Sequence, residues 1–216
     1  MVNFLTYCKA RILTALLLFL SLYLGCIASA SFALSAPADQ AEVDADAAAA
    51  GEVVAAFHRA LVEVLQTSEH SAREALLQPQ ITAAFDVHRI STISLGRTWR
   101  TLSDEQQTAF IELLTTLITA TYADRFDSNS GQRFVTDEVE AVKSGFVVRT
   151  RLTRINAEDV SLHYFLRGGR IFNVVADGVS DLSLRRADYN SIIKSQGYEA
   201  LLAHIADKIE LARSGQ

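Results

Sequence analysis

Five histidines, His58, His70, His88, His163 and His204, are the first residues in this chain that could carry chemistry. They are scattered, and no pair has the spacing that would set two imidazoles on one metal ion. His58 and His204 fall on expected helices and read as surface or partly packed groups. Both cysteines, Cys8 and Cys26, lie near the start, so the rest of the chain has neither a thiol nucleophile nor a disulfide framework. Gly178-Val179-Ser180 has the opening of a nucleophile elbow, but Leu182 stands where the second glycine belongs. No glycine-rich loop is placed to cradle phosphate, and Gly168-Gly169 reads as a hairpin turn. Asp177, near the end of an apolar strand, could act as a buried general base. It could equally brace the strand-to-helix junction beside Gly178, and that reading is preferred. The expectation is therefore a chain that is not an enzyme, with no cofactor and no metal.

What the chain offers instead is apolar surface at regular spacing. Ser103, with Gln106 three residues on, forms a capping box that opens a helix from Asp104 to about Asp127. Phe110, Leu113-Leu114, Leu117-Ile118 and Ala120-Thr121-Tyr122 give that helix a broad apolar face. After Ser128-Asn129-Ser130-Gly131 the period changes from 3.6 to 2. Arg133 to Val142, Phe146 to Arg154, Val160 to Arg167 and Arg170 to Val179 read as four strands. The short turns between them imply antiparallel hairpins. Phe146, Val148, Thr150 and Leu152 share one face, as do Val160, Leu162, Tyr164 and Leu166; charged residues occupy much of the other face.

Three helical stretches precede this block. They are Val53 to about Gln66, Ser68 to Gln78 with Pro79 interrupting it, and Ile81 to Leu95, ended or bent by Gly96. Two helices follow, Leu184 to Gln196, closed by Gly197, and Tyr198 to Arg213. The order implies an α+β fold with helices packed on one face of a four-stranded antiparallel sheet. An apolar cleft between that sheet and the long helix would take a lipid tail without any chemistry. The candidate lining is Phe110, Leu114, Ile118 and Tyr122 from the helix, with Val148, Leu162, Tyr164 and Val174 from the strands. Spacing alone also allows each of them to be ordinary core. Trp99 and Arg100 either flank the cleft's mouth or anchor the helix junction. Arg97 and Arg100 either meet an anionic headgroup or stay solvated.

The start of the chain has a different composition. Lys9 and Arg11 are the only charges before Asp39, and an apolar run from Ile12 to Leu24 follows them. This is the pattern of a secretory signal, with Ala28-Ser29-Ala30 or Leu34-Ser35-Ala36 as cleavage site. The uncharged stretch to Ala36 is also long enough for a retained inner-membrane anchor. Gly25-Cys26 is a weaker match to an acylated junction. The expected organisation is a signal peptide or anchor over 1–36, a flexible lead-in over 37–51 and one domain over 52–216. The net charge of −5 argues against a nucleic-acid partner.

Leu95-Gly96-Arg97-Thr98-Trp99-Arg100, Ser103 to Gln107, Phe110 and Tyr122-Ala123 together resemble the signature of the MlaC family. Asp177-Gly178-Val179-Ser180, Arg185-Arg186, Tyr189 and Ile192-Ile193 resemble its second signature, and Gly197-Tyr198 with Leu201-Leu202 its closing helix. The likeness runs from about Val53 to Ile209. The run from Asp177 to Tyr189 looks most like the hopanoid-associated HpnM-like branch. Many members carry Trp-Lys in the fourth strand, where this chain has Ile171-Phe172-Asn173, so the shape of the pocket is not carried over. The resemblance implies a cystatin- or nuclear-transport-factor-like roll that binds phospholipid or hopanoid in the periplasm. It also implies the toluene-tolerance role of shuttling lipid for an ABC transport system that maintains outer-membrane lipid asymmetry. The partners it implies are an inner-membrane ABC transporter with an MCE-domain subunit and an outer-membrane lipid-transfer component. Two competing readings remain: a periplasmic adaptor without ligand, and a ketosteroid-isomerase-like enzyme. The enzyme would need an acid–base pair in the cleft, and His163 is expected to face away from it.

Overall fold

The computed structural model describes residues 38–215 apart from Asn156. The leader over 1–36, its cleavage sites and Gly25-Cys26 lie outside the described residues. Helix α1 runs Ala38–Val64. The alanine- and acid-rich stretch expected as a flexible lead-in is thus helical, as suits the best helix-forming residue. It stays largely exposed until Ala50, where burial begins. From there Val54, Phe57, Leu61 and Val64 form a fully buried stripe.

Helix α2, His70–Ala84, passes through Pro79 rather than ending at it. A proline inside a helix costs about 3 kcal/mol. Leu77 and Ile81, one turn apart on either side of it, are both fully buried. Burying two such side chains is worth roughly 1.5–3 kcal/mol each, so packing outweighs the break. Pro79 itself lies on the exposed side of the helix, where water can serve the backbone.

The expected third helix from Ile81 is divided at Phe85-Asp86. Phe85 bridges to Ile171, and the Asp86 N–H donates to the Ile171 carbonyl at 2.8 Å. The Asp86 carboxylate then accepts the Arg89 N–H at 2.9 Å and caps α3, Val87–Leu95. Gly96, at φ 57°, closes α3 with a backbone few other residues adopt. A short 3₁₀ turn, Thr98–Thr101, leads to α4, Asp104–Arg125. Both bonds of its capping box are present: the Gln106 N–H donates to Ser103 Oγ, and the Ser103 N–H to Gln106 Oε1.

Strands β1 (Arg133–Val142), β2 (Gly145–Arg154), β3 (Ala157–Arg167) and β4 (Arg170–Ala176) follow. A fifth strand, β5 (Val179–Ser180), extends the expected four. Asp177 and Gly178, at φ 47° and 81°, turn the chain between β4 and β5, so the expected last strand is a strand and a two-residue hairpin. The sheet is antiparallel throughout, in the order β1-β2-β3-β4-β5. Its register sets Val148 opposite Tyr164, and Tyr164 opposite Val174. A bulge leaves Phe172 as the extra residue of β4.

Helices α5 (Asp181–Gln196) and α6 (Tyr198–Ser214) complete the helical layer. All helices lie to the apolar side of the sheet, with α1 against β1 and β2, α5 against β4, and α4 between α2 and α6. The other face carries ion pairs from Arg149 to Glu138 and Glu140, and from Arg151 to Asp137 and Asp159.

Arg73 is buried and has no carboxylate partner among the described residues. Its guanidinium donates to the carbonyls of Ala123, Thr67 and Ser68, tying the end of α4 to the turn after α1. Replacing Arg73 by Met leaves the buried Ala123 carbonyl without this donor and unties the Thr67 and Ser68 carbonyls. We expect Arg73→Met to lower the unfolding free energy by about 2–3 kcal/mol, read as an earlier urea midpoint at unchanged slope.

Candidate functional site

A cavity of about 570 Å³ lies between the sheet and the helices. Its walls combine Ile118 and Tyr122 of α4 with Leu152, Leu162, Tyr164 and Val174 of the sheet. Leu61, Phe85 and Ile90 line it from α1, the α2–α3 junction and α3. Phe172, which the bulge adds to β4, lines it too, with the Arg89 guanidinium 5.8 Å from its ring centre. Leu182, Leu184 and Arg185 of α5 and Val179 of β5 line the remaining side.

Of the eight residues expected to line a cleft, five do so: Ile118, Tyr122, Leu162, Tyr164 and Val174. Phe110, Leu114 and Val148 instead lie fully buried in the core, outside the cavity lining. Phe110 packs edge-on to Tyr189 of α5 at 6.2 Å, so its turn of α4 faces the other helices. The sequence reading did not single out Leu152 and Val160, although they share the strand face of Leu162 and alternation could have found them. Phe85, Ile90 and Phe172 depend on the break at Asp86 and on the bulge, which periodicity does not report.

Trp99 is buried at the helix junction, edge-on to His88 at 5.4 Å, and does not line the cavity. Arg97 and Arg100 are exposed and away from it. Asp177 sits in the β4–β5 turn, where its carboxylate accepts the Ser161 N–H at 2.8 Å. His163 is placed on the outer face, within 3.4 Å of the Arg149 guanidinium.

The mouth is polar. Arg125, Ser128, Ser130 and Arg154 line the cavity and are exposed, with Gln132 partly so. Gln132 staples this loop, donating from Nε2 to the Ser128 carbonyl and accepting the Ser130 N–H. Deeper in, the largely buried Arg185 donates to Asp181 at 2.9 Å and to the Tyr189 hydroxyl at 3.0 Å. Its Nε is buried with no partner among the described residues. Burial pushes the Tyr122 phenol well above the ordinary tyrosine range; the Asp181 charge adds to the shift, while Arg125 and Arg185 oppose it.

His58, expected as a surface or partly packed group, lies in the core. It is buried, stacks on Phe134 at 3.9 Å, and its Nε2 lies 3.0 Å from the hydroxyl of the cavity residue Tyr164. Desolvation lowers its pKa to about 4 from an ordinary 6.5. Between these values the unfolded chain holds a proton that the folded chain excludes. Stability therefore falls as pH drops from 6.5 towards 4, by at most about 3 kcal/mol. Urea titrations across this pH window should show a shallower decline for His58→Gln than for the natural chain.

The fold and cavity can be set beside known proteins. No curated protein is a significant sequence match. A solved structure of a phospholipid-binding protein from Ralstonia solanacearum, in complex with a phospholipid, superposes with a TM-score of 0.65. It is 19% identical, and the match covers 77% of this chain and 98% of that one. Residues 53–207 match the model of the MlaC protein family. That span runs from within α1 into α6 and takes in α2 to α5 and the whole sheet, and the chain belongs to the MlaC family.

Proposed function

We propose that this protein binds a phospholipid, with its acyl portion in the cavity between sheet and helices, and carries it between membranes in the periplasm. The cavity is the observation that carries this reading. At roughly 30 Å³ per methylene-sized unit, the share of one water in the liquid, its 570 Å³ takes about 19 such units. That is room for at least one full acyl chain. Each buried methylene is worth about 0.8 kcal/mol, so a 16-carbon chain gains on the order of 12 kcal/mol gross. Such a gain requires apolar wall for the chain to lie against, and the side chains of Ile118, Leu152, Leu162 and Val174 supply part of it. The exposed mouth would leave a headgroup in reach of water and of a receiving protein.

Membership in the MlaC family supports the reading, and so does the phospholipid held by the Ralstonia protein. The role follows as binding and transfer rather than catalysis. In this reading the chain reaches the periplasm by its leader. There it exchanges lipid with an inner-membrane ABC transporter bearing an MCE-domain subunit and with an outer-membrane component. Hopanoid is the second cargo class, motivated by the run from Asp177 to Tyr189. Among the described residues no helix is long and apolar enough to cross a membrane, which suits a carrier whose folded part moves through water. A ligand-free adaptor has no use for an internal apolar cavity of this size.

Native mass spectrometry of the protein, with extraction of whatever lipid it retains, tests the reading. Near-unit occupancy by phospholipid or hopanoid supports it and identifies the cargo. A mass that stays unliganded after exposure to phospholipid vesicles overturns it. Leu162→Trp and Ile118→Trp place an indole in the cavity. Each is expected to cut lipid occupancy at least about tenfold, a loss of roughly 1.4 kcal/mol, without abolishing the cooperative unfolding transition.

A further inference from the structure

The charges lining the cavity run against the charge of the chain. The protein carries net −5, yet the cavity is lined by three guanidinium groups, Arg125, Arg154 and Arg185, and one carboxylate, Asp181. Arg125 and Arg154 have no carboxylate partner among the described residues, whereas the arginines of the outer sheet face, Arg149 and Arg151, are both paired. An apolar cavity gains nothing from a buried guanidinium, whose desolvation costs several kcal/mol by order of magnitude. Arg185 is nonetheless held there, its side chain 13% exposed, by Asp181 and Tyr189.

Two donors at this place are left over. Arg185 Nε is buried without an acceptor. The Tyr122 hydroxyl, on a cavity-lining side chain, has no hydrogen-bond partner among the described residues. The Tyr122 hydroxyl is thus free to donate to an acceptor brought by the ligand, and the enclosed Arg185 adds positive charge behind it; the buried hydroxyls of Ser91 and Ser94, outside the cavity lining, also lack a partner among the described residues. Tyr122 and Arg125 stand one helical turn from each other on α4, and Asp181 and Arg185 one turn apart on α5. Both pairs line the same space, and the fields of Asp181, Arg125 and Arg185 all reach the Tyr122 phenol. Planar guanidiniums with a phenol suit the oxygens of a phosphate.

We propose that Tyr122, Arg125 and Arg185 form a phosphate-reading station in the cavity, which makes the protein prefer phospholipids of net negative headgroup over zwitterionic ones. The proposal rests on the phospholipid reading and adds a polarity to it. A zwitterionic headgroup brings an ammonium to a mouth whose unpaired charges, Arg125 and Arg154, are already positive, and because that mouth is exposed the repulsion weakens with salt. Arg154, on the exposed rim, extends the same field outwards. The phosphate oxyanion could also come free from solution, and the test separates the two sources.

The delipidated protein, expressed from its full-length gene, is offered an equimolar mixture of phosphatidylglycerol and phosphatidylcholine with identical chains. Occupancy is then read by native mass spectrometry. The natural protein should favour phosphatidylglycerol about tenfold, the scale of one charge-assisted hydrogen bond. Arg125→Gln, an exposed position, should remove most of that preference and still bind lipid. Tyr122→Phe should weaken both lipids, because it removes a donor and no charge. Arg185→Lys tests the buried member while keeping its charge, and should shift the preference less than Arg125→Gln does. Equal occupancy by the two lipids overturns the proposal, as does a preference that survives Arg125→Gln. Binding of neither lipid overturns the phospholipid reading and the station with it. Thermal stabilisation by millimolar inorganic phosphate alone, lost in Arg125→Gln and accompanied by no headgroup preference, would assign these groups to a free anion and overturn the headgroup role.

Discussion

The ring of Phe57 joins the helical layer to the sheet. It meets Phe85 and Tyr122 edge-on at 5.1 Å each, and Tyr164 at 6.4 Å, linking α1, the α2–α3 junction, α4 and β3. Edge-to-face contacts of this kind fix ring orientation as well as distance. Phe57 does not line the cavity, but all three of its partners do. The wall of the cavity is therefore backed by aromatic contacts of fixed orientation. The fully buried Leu77, Ile81, Leu114 and Leu201 extend this packing through the helical layer.

The buried polar groups divide into two kinds. His58 bonds Tyr164, Thr150 donates to the Leu162 carbonyl at 2.9 Å, and Arg73 serves three carbonyls. These groups are satisfied within the protein and help define a single packing arrangement. Arg185 Nε, on a cavity-lining side chain, and the hydroxyls of Ser91 and Ser94, outside the cavity lining, are buried without a partner among the described residues. The outer sheet face is governed differently. Its exposed ion pairs contribute little stability each, but they keep that face polar. The bulges in β1 and β4 serve these two faces separately. One leaves Asp137 as the extra residue, clasping Arg151 with both carboxylate oxygens, and the other adds Phe172 to the cavity.

Local signals determined much of the architecture. The capping box at Ser103, the change of period after Gly131 and the turns at Lys143-Ser144-Gly145 and Gly168-Gly169 depend on neighbours in the chain, so they are legible without a fold. They yield the long helix, the antiparallel strands and the α+β order. Strand alternation likewise shows that Leu162 and Tyr164 share a face. The helix through Pro79 and the division at Asp86 were not legible. In the first, the burial of Leu77 and Ile81 by distant elements overrides a local break. In the second, Ile171, far along the chain, takes up the Asp86 N–H.

The sequence by itself thus determined which residues are apolar, on which faces, and in what order the elements run. Only the tertiary structure decided which of those faces meet protein and which meet a void. Phe110 and Ile118 lie on the same helix with the same character, yet Phe110 meets Tyr189 and Ile118 meets the cavity. The physical reason is that hydrophobic burial is non-directional: periodicity reports that a side chain leaves water, and not what replaces the water. The same holds for His58, whose place in the core depends on Phe134 and Tyr164 arriving from strands far along the chain.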